Sequence, residues 1–176
     1  NFTITVTQTA QDEYTTSWTR SSGTMVSAAS GTTSFSYSNV AYAAGSSYDS
    51  TIDFLNAHRK VPVRMVKMDS GGNPLPGACF TLTGTIPAGS SVTSPTAADG
   101  ILFDGELFYG QSYTLTETSV PTGYAPLAGA VAITVSSTGA VSTAAMEGVA
   151  VSGPDLNGRY TIDLTNRIIL VAPTGI

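Results

Sequence analysis

The chain has 176 residues, of which 41% are hydrophobic and 11% are charged, with a formal net charge of -5 and a sequence pI near 4.5. This hydrophobic content is enough for a folded core, so the composition excludes a disordered chain. The acidic balance, with Lys60 and Lys67 as the only lysines, argues against nucleic acid or an anionic membrane surface as partner, because both require clustered cations. Cys79 is the single cysteine, so no disulfide forms within the chain.

Short runs rich in Thr, Val, Ile and Tyr recur along the chain, and turn sequences rich in Gly, Pro, Asp and Asn separate them. Such runs favour strands, and a helical period is hard to find between them. The sequence therefore predicts an all-β protein. The predicted strands, in chain order, are FTITVTQ, EYTTSW, TTSFSYS, STIDFLN, VPVRMVK, ACFTLTG, ILFDGELF, SYTLTET, VAITVSS and RYTIDLTN.

A polar connector at residues 56–62 is the sharpest boundary between strands. We place two tandem β-domains around it, at residues 1–59 and 60–170, followed by a tail at residues 171–176. The chain begins within a strand pattern and stops abruptly, so we expect it to be a portion of a longer polypeptide.

The two domains look related, because FTITVTQTAQDEYTT resembles YTLTETSVPTGYAPL and IDFLNAHR resembles IDLTNRII. Gln8 precedes Asn56 by 48 positions, and Glu117 precedes Asn166 by 49. The first domain therefore corresponds only to the second half of the other. We expect residues 1–59 to lack their first strands and to expose a sheet edge that another chain or a cleaved segment fills.

Three polar residues stand at core-facing positions of their strands, because side chains two apart share one face. Lys67 follows Val63 and Met65, Glu117 follows Tyr113 and Leu115, and Asn166 follows Ile162 and Leu164. Burial disfavours a charged amine and promotes the neutral, nucleophilic form. If Glu117 is protonated by the same burial, it can polarise the Asn166 carboxamide and relay protons while the amine attacks and ammonia leaves.

This pattern predicts an isopeptide bond between Lys67 and Asn166, with Glu117 as the catalytic acid. The alternative is that Lys67 reaches solvent at the strand end or forms a buried ion pair with Glu117. In the first domain Gln8 stands where the acid is expected. A glutamine does not relay a proton, so we interpret Gln8 and Asn56 as a degenerate site.

Residues 61 to about 168 resemble a Cna protein B-type domain, the transthyretin-like, Ig-like β-sandwich of Gram-positive pilins and adhesin stalks. The resembling segments are VKMDSGGNPLPGACFTL, DGILFDGELFYGQSYTLTETSVPTGY and YTIDLTN. The resemblance implies that Lys67 of the first strand bonds Asn166 of the last, catalysed by Glu117, and it favours the crosslink over the ion pair.

The tail VAPTG, formed by Val171, Ala172, Pro173, Thr174 and Gly175, resembles the LPxTG-type motif that sortases cleave between threonine and glycine. It differs from that pattern, because valine replaces leucine and the proline stands one place late. The alternative is an ordinary Pro-Thr-Gly turn. Lys60 raises the question of a sortase acceptor lysine, but nothing around it resembles a dedicated pilin motif, and we interpret it as a solvated linker residue.

No set of residues predicts conventional catalysis or a metal site. His58 lacks a matching serine or cysteine arrangement, and Asp99, Asp104 and Glu106 lack calcium-loop spacing. We therefore expect no cofactor and no metal, and a protein that is not an enzyme beyond forming its own crosslink. The leading hypothesis is an extracellular pilin subunit or adhesin stalk, joined by sortase to other pilin subunits or to peptidoglycan. The alternatives are a module that binds a host glycoprotein or carbohydrate, and a spacer in a surface enzyme.

Overall fold

The computed structural model describes residues 2–22, 25–30, 34–40 and 51–170. The chain divides into two compact units, Asn1–Arg59 (unit 1) and Lys60–Ile176 (unit 2). The described residues form 13 strands, and all ten predicted strands are among them. Within those ranges there is no helix long and apolar enough to cross a membrane.

Unit 1 contains five described strands in two sheets. In one sheet β1 pairs antiparallel with β4, and in the other β2 lies between β3 and β5, antiparallel to both. The strand bounds are β1 Phe2–Thr7, β2 Tyr14–Ser22, β3 Met25–Ser30, β4 Ser34–Val40 and β5 Thr51–His58.

Unit 2 contains eight described strands. They are β6 Lys60–Asp69, β7 Cys79–Thr83, β8 Ile101–Phe108, β9 Ser112–Ser119, β10 Val131–Val135, β11 Val141–Thr143, β12 Val149–Ser152 and β13 Tyr160–Asn166. One four-stranded sheet has the order β12-β13-β6-β8, and the other has the order β11-β10-β9-β7.

The first and last strands of unit 2 are neighbours. β6 and β13 run parallel, with Leu164 opposite Lys67 and Asn166 opposite Asp69. The other strand pairs of unit 2 are antiparallel. The two ends of the fold are therefore joined by backbone hydrogen bonds along one sheet.

The core of unit 2 lies between its two sheets, where alternate residues of each strand are buried. On β6 the alternation is strict: Val61, Val63, Met65 and Lys67 are buried, and the residues between them are partly exposed. Apolar residues of β8, β9, β10 and β13 complete this core. These observations confirm the predicted all-β sandwich.

Gly100 contacts the backbone of β6 at Lys67. Gly100 has φ +74° and its carbonyl accepts the Lys67 backbone N–H at 2.7 Å. A Cβ atom at Gly100 would collide with the Lys67 carbonyl oxygen. Only glycine fits here, because the backbone is left-handed and the neighbouring strand approaches closely.

Candidate functional site: a lysine, an asparagine and a glutamate at the core end of unit 2

Lys67 is buried at the end of the core face of β6, with 0% of its surface exposed. Its Nζ donates to the backbone oxygens of Leu164 at 3.0 Å and Met68 at 3.3 Å. Burial lowers the pKa of Lys67 from 10.5 to about 8, and the negative charge of Glu117 partly opposes that shift. At pH 7 about a tenth of the amine is therefore uncharged and nucleophilic.

Asn166 lies at the end of β13 with 1% of its surface exposed. Leu164 stands opposite Lys67 in the parallel ladder. Asn166 is two residues further along β13, so its backbone lies about 6.6 Å from that of Leu164. The extended lysine side chain is of similar length. Its Nζ reaches the backbone carbonyl of Leu164, two residues before Asn166 on the same strand.

Glu117 comes from the opposite sheet, on the core face of β9, where it follows the buried Tyr113 and Leu115. Its Oε1 accepts the Asn166 Nδ2–H group at 2.8 Å, and its Oε2 accepts the Leu127 backbone N–H at 2.8 Å. Both oxygens therefore act as hydrogen-bond acceptors in these two contacts.

The Asn166 side chain is only half satisfied. Its nitrogen is held by Glu117, but its buried Oδ1 has no hydrogen-bond partner among the described residues. A buried carbonyl without a donor is costly, and such groups are uncommon in folded proteins. The carboxamide is thus held through its nitrogen.

In chemical terms the site combines an amine of lowered pKa, a fixed carboxamide and a carboxylate that contacts the carboxamide nitrogen. These are the groups that attack of an amine on an amide requires: a nucleophile, an electrophilic carbon and a base that can carry protons. The surrounding apolar core excludes bulk water, which would otherwise solvate the ammonium form.

The corresponding residues of unit 1, Gln8 and Asn56, are also in contact, but the groups that form the hydrogen bonds are different. Gln8 Nε2 donates to Asn56 Oδ1 at 2.9 Å, and Thr16 Oγ1 donates to the same oxygen at 2.8 Å. Asn56 is exposed, whereas Asn166 is buried. In unit 1 the carboxamide oxygen is satisfied by two neutral donors, and neither is a base or an amine.

The remaining sequence candidates have ordinary local partners. Lys60 Nζ lies 3.4 Å from Glu106 Oε2, and the His58 ring stacks on Tyr14 with ring centroids 4.6 Å apart. Asp104 forms ion pairs with Arg64 and Arg159, at 2.6 and 3.5 Å. Asp99 accepts the Ile101 backbone N–H at 3.0 Å.

The sortase-like tail of Val171, Ala172, Pro173, Thr174 and Gly175 lies outside the described residues. Two contributors within those residues were missed from the sequence, the Leu127 backbone N–H and the Thr16 hydroxyl. No side-chain pattern could reveal the first, because a backbone donor leaves no signal in residue type.

A family model, the SpaA prealbumin-like fold domain, matches residues 61–149. This range includes 89 residues (149 − 61 + 1), half of the 176 in the chain. The chain belongs to this family. The match begins in β6 and ends at the first residue of β12, so it includes Lys67 and Glu117 but stops before Asn166.

Among solved structures, the chain is similar to the C-terminal fragment of the pilus adhesin SpaC from Lactobacillus rhamnosus GG. The identity is 25% and the TM-score is 0.50, over 65% of this chain and 47% of that fragment. The open conformation of SpaC matches with 27% identity and a TM-score of 0.46, over 65% of this chain and 15% of SpaC. The group B streptococcus pilus 2b backbone protein matches with 13% identity and a TM-score of 0.43, over 94% and 91%.

The chain spans about half the length of the SpaC fragment that it matches. No curated protein sequence matches it. The similar structures named here are those of a pilus adhesin and a pilus backbone protein.

Proposed function

We propose that the chain is part of a pilin or an adhesin stalk of the Cna protein B type, in which unit 2 is locked by an isopeptide bond between Lys67 and Asn166. The observation that carries this proposal is the buried Lys67 beside β13, with Asn166 held there by Glu117. A simple buried ion pair does not account for the asparagine.

The reaction is an amide exchange. The neutral Lys67 amine attacks Asn166 Cγ, and the Nζ–Cγ bond forms. The Glu117 carboxylate takes the proton that the amine loses and delivers a proton to Nδ2, so the Cγ–Nδ2 bond breaks and ammonia leaves. The carboxylate is regenerated, and no other reactant is consumed.

The bond would have a mechanical role, because it connects the two strands through which the ends of unit 2 enter and leave the fold. β6 and β13 run parallel and adjacent. Tension applied at the start of β6 and the end of β13 would pass through the covalent link near Lys67. The strands between positions 67 and 166 would then bear no load, which suits an extracellular fibre that holds a cell against flow.

We further propose that Thr174 is the sortase cleavage point, which would join the chain to other pilin subunits or to the cell wall. The support is the resemblance of VAPTG to the LPxTG-type motif and its position directly after the last strand of unit 2. The SpaC fragment to which the chain is similar is part of a pilus adhesin. A role in host adhesion is therefore the second candidate.

Tryptic mapping tests the crosslink directly. No lysine or arginine lies between Met68 and Gly158, and an acylated Lys67 resists trypsin. A crosslinked chain therefore gives one branched species in which residues 65–159 are joined to residues 160–167. An Asn166→Ala variant should instead release residues 65–67 and 68–159 separately. Separate peptides from the unmodified chain would refute the proposal.

A further inference from the structure

The segment that follows β9 folds back and runs beside the chain that leaves β13. The Ala125 backbone N–H donates to the Arg167 oxygen at 2.8 Å, and the Ile169 N–H donates to the Gly123 oxygen at 2.8 Å. Tyr124 and Ile168 form an antiparallel bridge between these two contacts. We call residues 123–127 the return segment.

The return segment ends at the catalytic carboxylate. Its Leu127 N–H donates to Glu117 Oε2 at 2.8 Å, while Oε1 of the same carboxylate contacts Asn166. The Leu127 side chain packs against the core. The return segment is therefore fastened on one side to Arg167, next to Asn166 along the chain, and on the other side to Glu117.

We propose that the Leu127 backbone N–H is a positioning group for the crosslinking reaction, a proposal that rests on the function proposed above. Glu117 can rotate about its side-chain bonds, and one hydrogen bond to Asn166 fixes only one of its oxygens. The Leu127 N–H fixes the second oxygen, so the carboxylate plane is held against Nδ2. Effective proton transfer requires such prior alignment.

The test replaces Leu127 by its α-hydroxy acid during cell-free synthesis, which exchanges the N–H for an ester oxygen and leaves the side chain intact. Intact mass at timed intervals measures the loss of ammonia. A hydrogen bond to a charged group contributes enough that we expect the ester variant to react about tenfold to hundredfold more slowly. Leu127→Pro, which also lacks the N–H, should react equally slowly.

The Leu127 N–H could also act only by stabilising the fold, and this is tested by measuring the unfolding of the ester variant in a Glu117→Ala background, where no crosslink is expected to form. If the ester variant folds as well as its parent there, slow ammonia loss is due to positioning. Equal rates for the ester variant and the unmodified chain would overturn this inference while leaving the proposed function intact. Absence of ammonia loss in the unmodified chain would instead refute the proposed function.

Discussion

The crosslink and the buried charge of Lys67 affect stability in opposite directions, and two variants separate them. Glu117→Gln keeps Lys67 but removes the base, so the amine stays free and buried. Lys67→Met removes both the crosslink and the charge while keeping a long side chain in the core. We predict that resistance to unfolding falls in the order unmodified chain, Lys67→Met, Glu117→Gln at pH 7.

The magnitudes follow from the structure. The crosslink closes a loop of 99 residues (166 − 67), which is worth about 4 to 5 kcal/mol if the entropy model for disulfides applies. The free lysine costs roughly 3 kcal/mol, because burial lowers its pKa from 10.5 to about 8. Lys67→Met leaves the carbonyls of Leu164 and Met68 without their donor, which offsets about 1 kcal/mol of the gain. We therefore expect Lys67→Met to exceed Glu117→Gln by about 2 kcal/mol.

The cost of the buried lysine can be measured from how the stability of each variant changes with pH. Between pH 8 and 10.5 the unfolded chain binds the lysine proton and the folded chain does not, so the stability of Glu117→Gln should rise with pH across this window. Lys67→Met and the crosslinked chain lack that group. Urea unfolding of all three proteins at pH 7 and at pH 10.5 measures the difference. The reasoning fails if the unmodified chain is no more stable than Lys67→Met, or if Glu117→Gln shows no greater gain with pH than Lys67→Met.

Three further predictions concern single positions. Gly100→Ala should destabilise unit 2 by more than about 1 kcal/mol, because Gly100 has a positive φ and a Cβ atom there would collide with the Lys67 carbonyl oxygen. Gly72→Ala is the control in thermal melting, because Gly72 also has a positive φ, +80°, but has open space around it. Equal melting temperatures for the two variants would contradict this prediction. Asn56→Ala should lower the stability of unit 1 by about 1 kcal/mol without changing ammonia loss, and altered ammonia loss would refute the degenerate-site interpretation. Thr174→Ala should abolish transfer to a glycine peptide by a sortase, and continued transfer would place cleavage elsewhere.

The ten strands with clear alternation were predictable from sequence, because β-branched and aromatic residues mark a half-buried surface. Three strands were not predicted. β3 is built largely from alanine and serine, and β11 and β12 have only three and four residues. Such segments become strands through pairing with neighbours, as β12 does with β13. This tertiary contribution leaves little trace in local composition.

The burial of Lys67 and Asn166 was likewise predictable, since their strands alternate strictly. The parallel pairing of β6 with β13 was not, because side-chain periodicity does not specify which strands become neighbours. The second hydrogen bond of the Glu117 side chain was also beyond the sequence. It comes from the backbone of Leu127, ten positions further along, which the fold of the return segment brings to the carboxyl group.

A contact in unit 1 shows the same limit of prediction from sequence, because it depends on which strands become neighbours. Gln8 and Asn56 were interpreted as a degenerate site from the resemblance between the two domains and from their spacing, and Gln8 Nε2 lies 2.9 Å from Asn56 Oδ1. The sequence did not reveal Thr16 as the second donor to Asn56. That contact depends on the pairing of β2 with β5, where Thr16 stands opposite Asn56.

The most direct test of the central claim is the intact mass of the purified chain beside that of a Glu117→Ala variant. We predict that the unmodified chain is lighter than its sequence mass by one ammonia and that the variant has its full sequence mass. Full mass in both proteins would contradict the isopeptide bond and would leave Lys67 as a buried amine near the negative charge of Glu117.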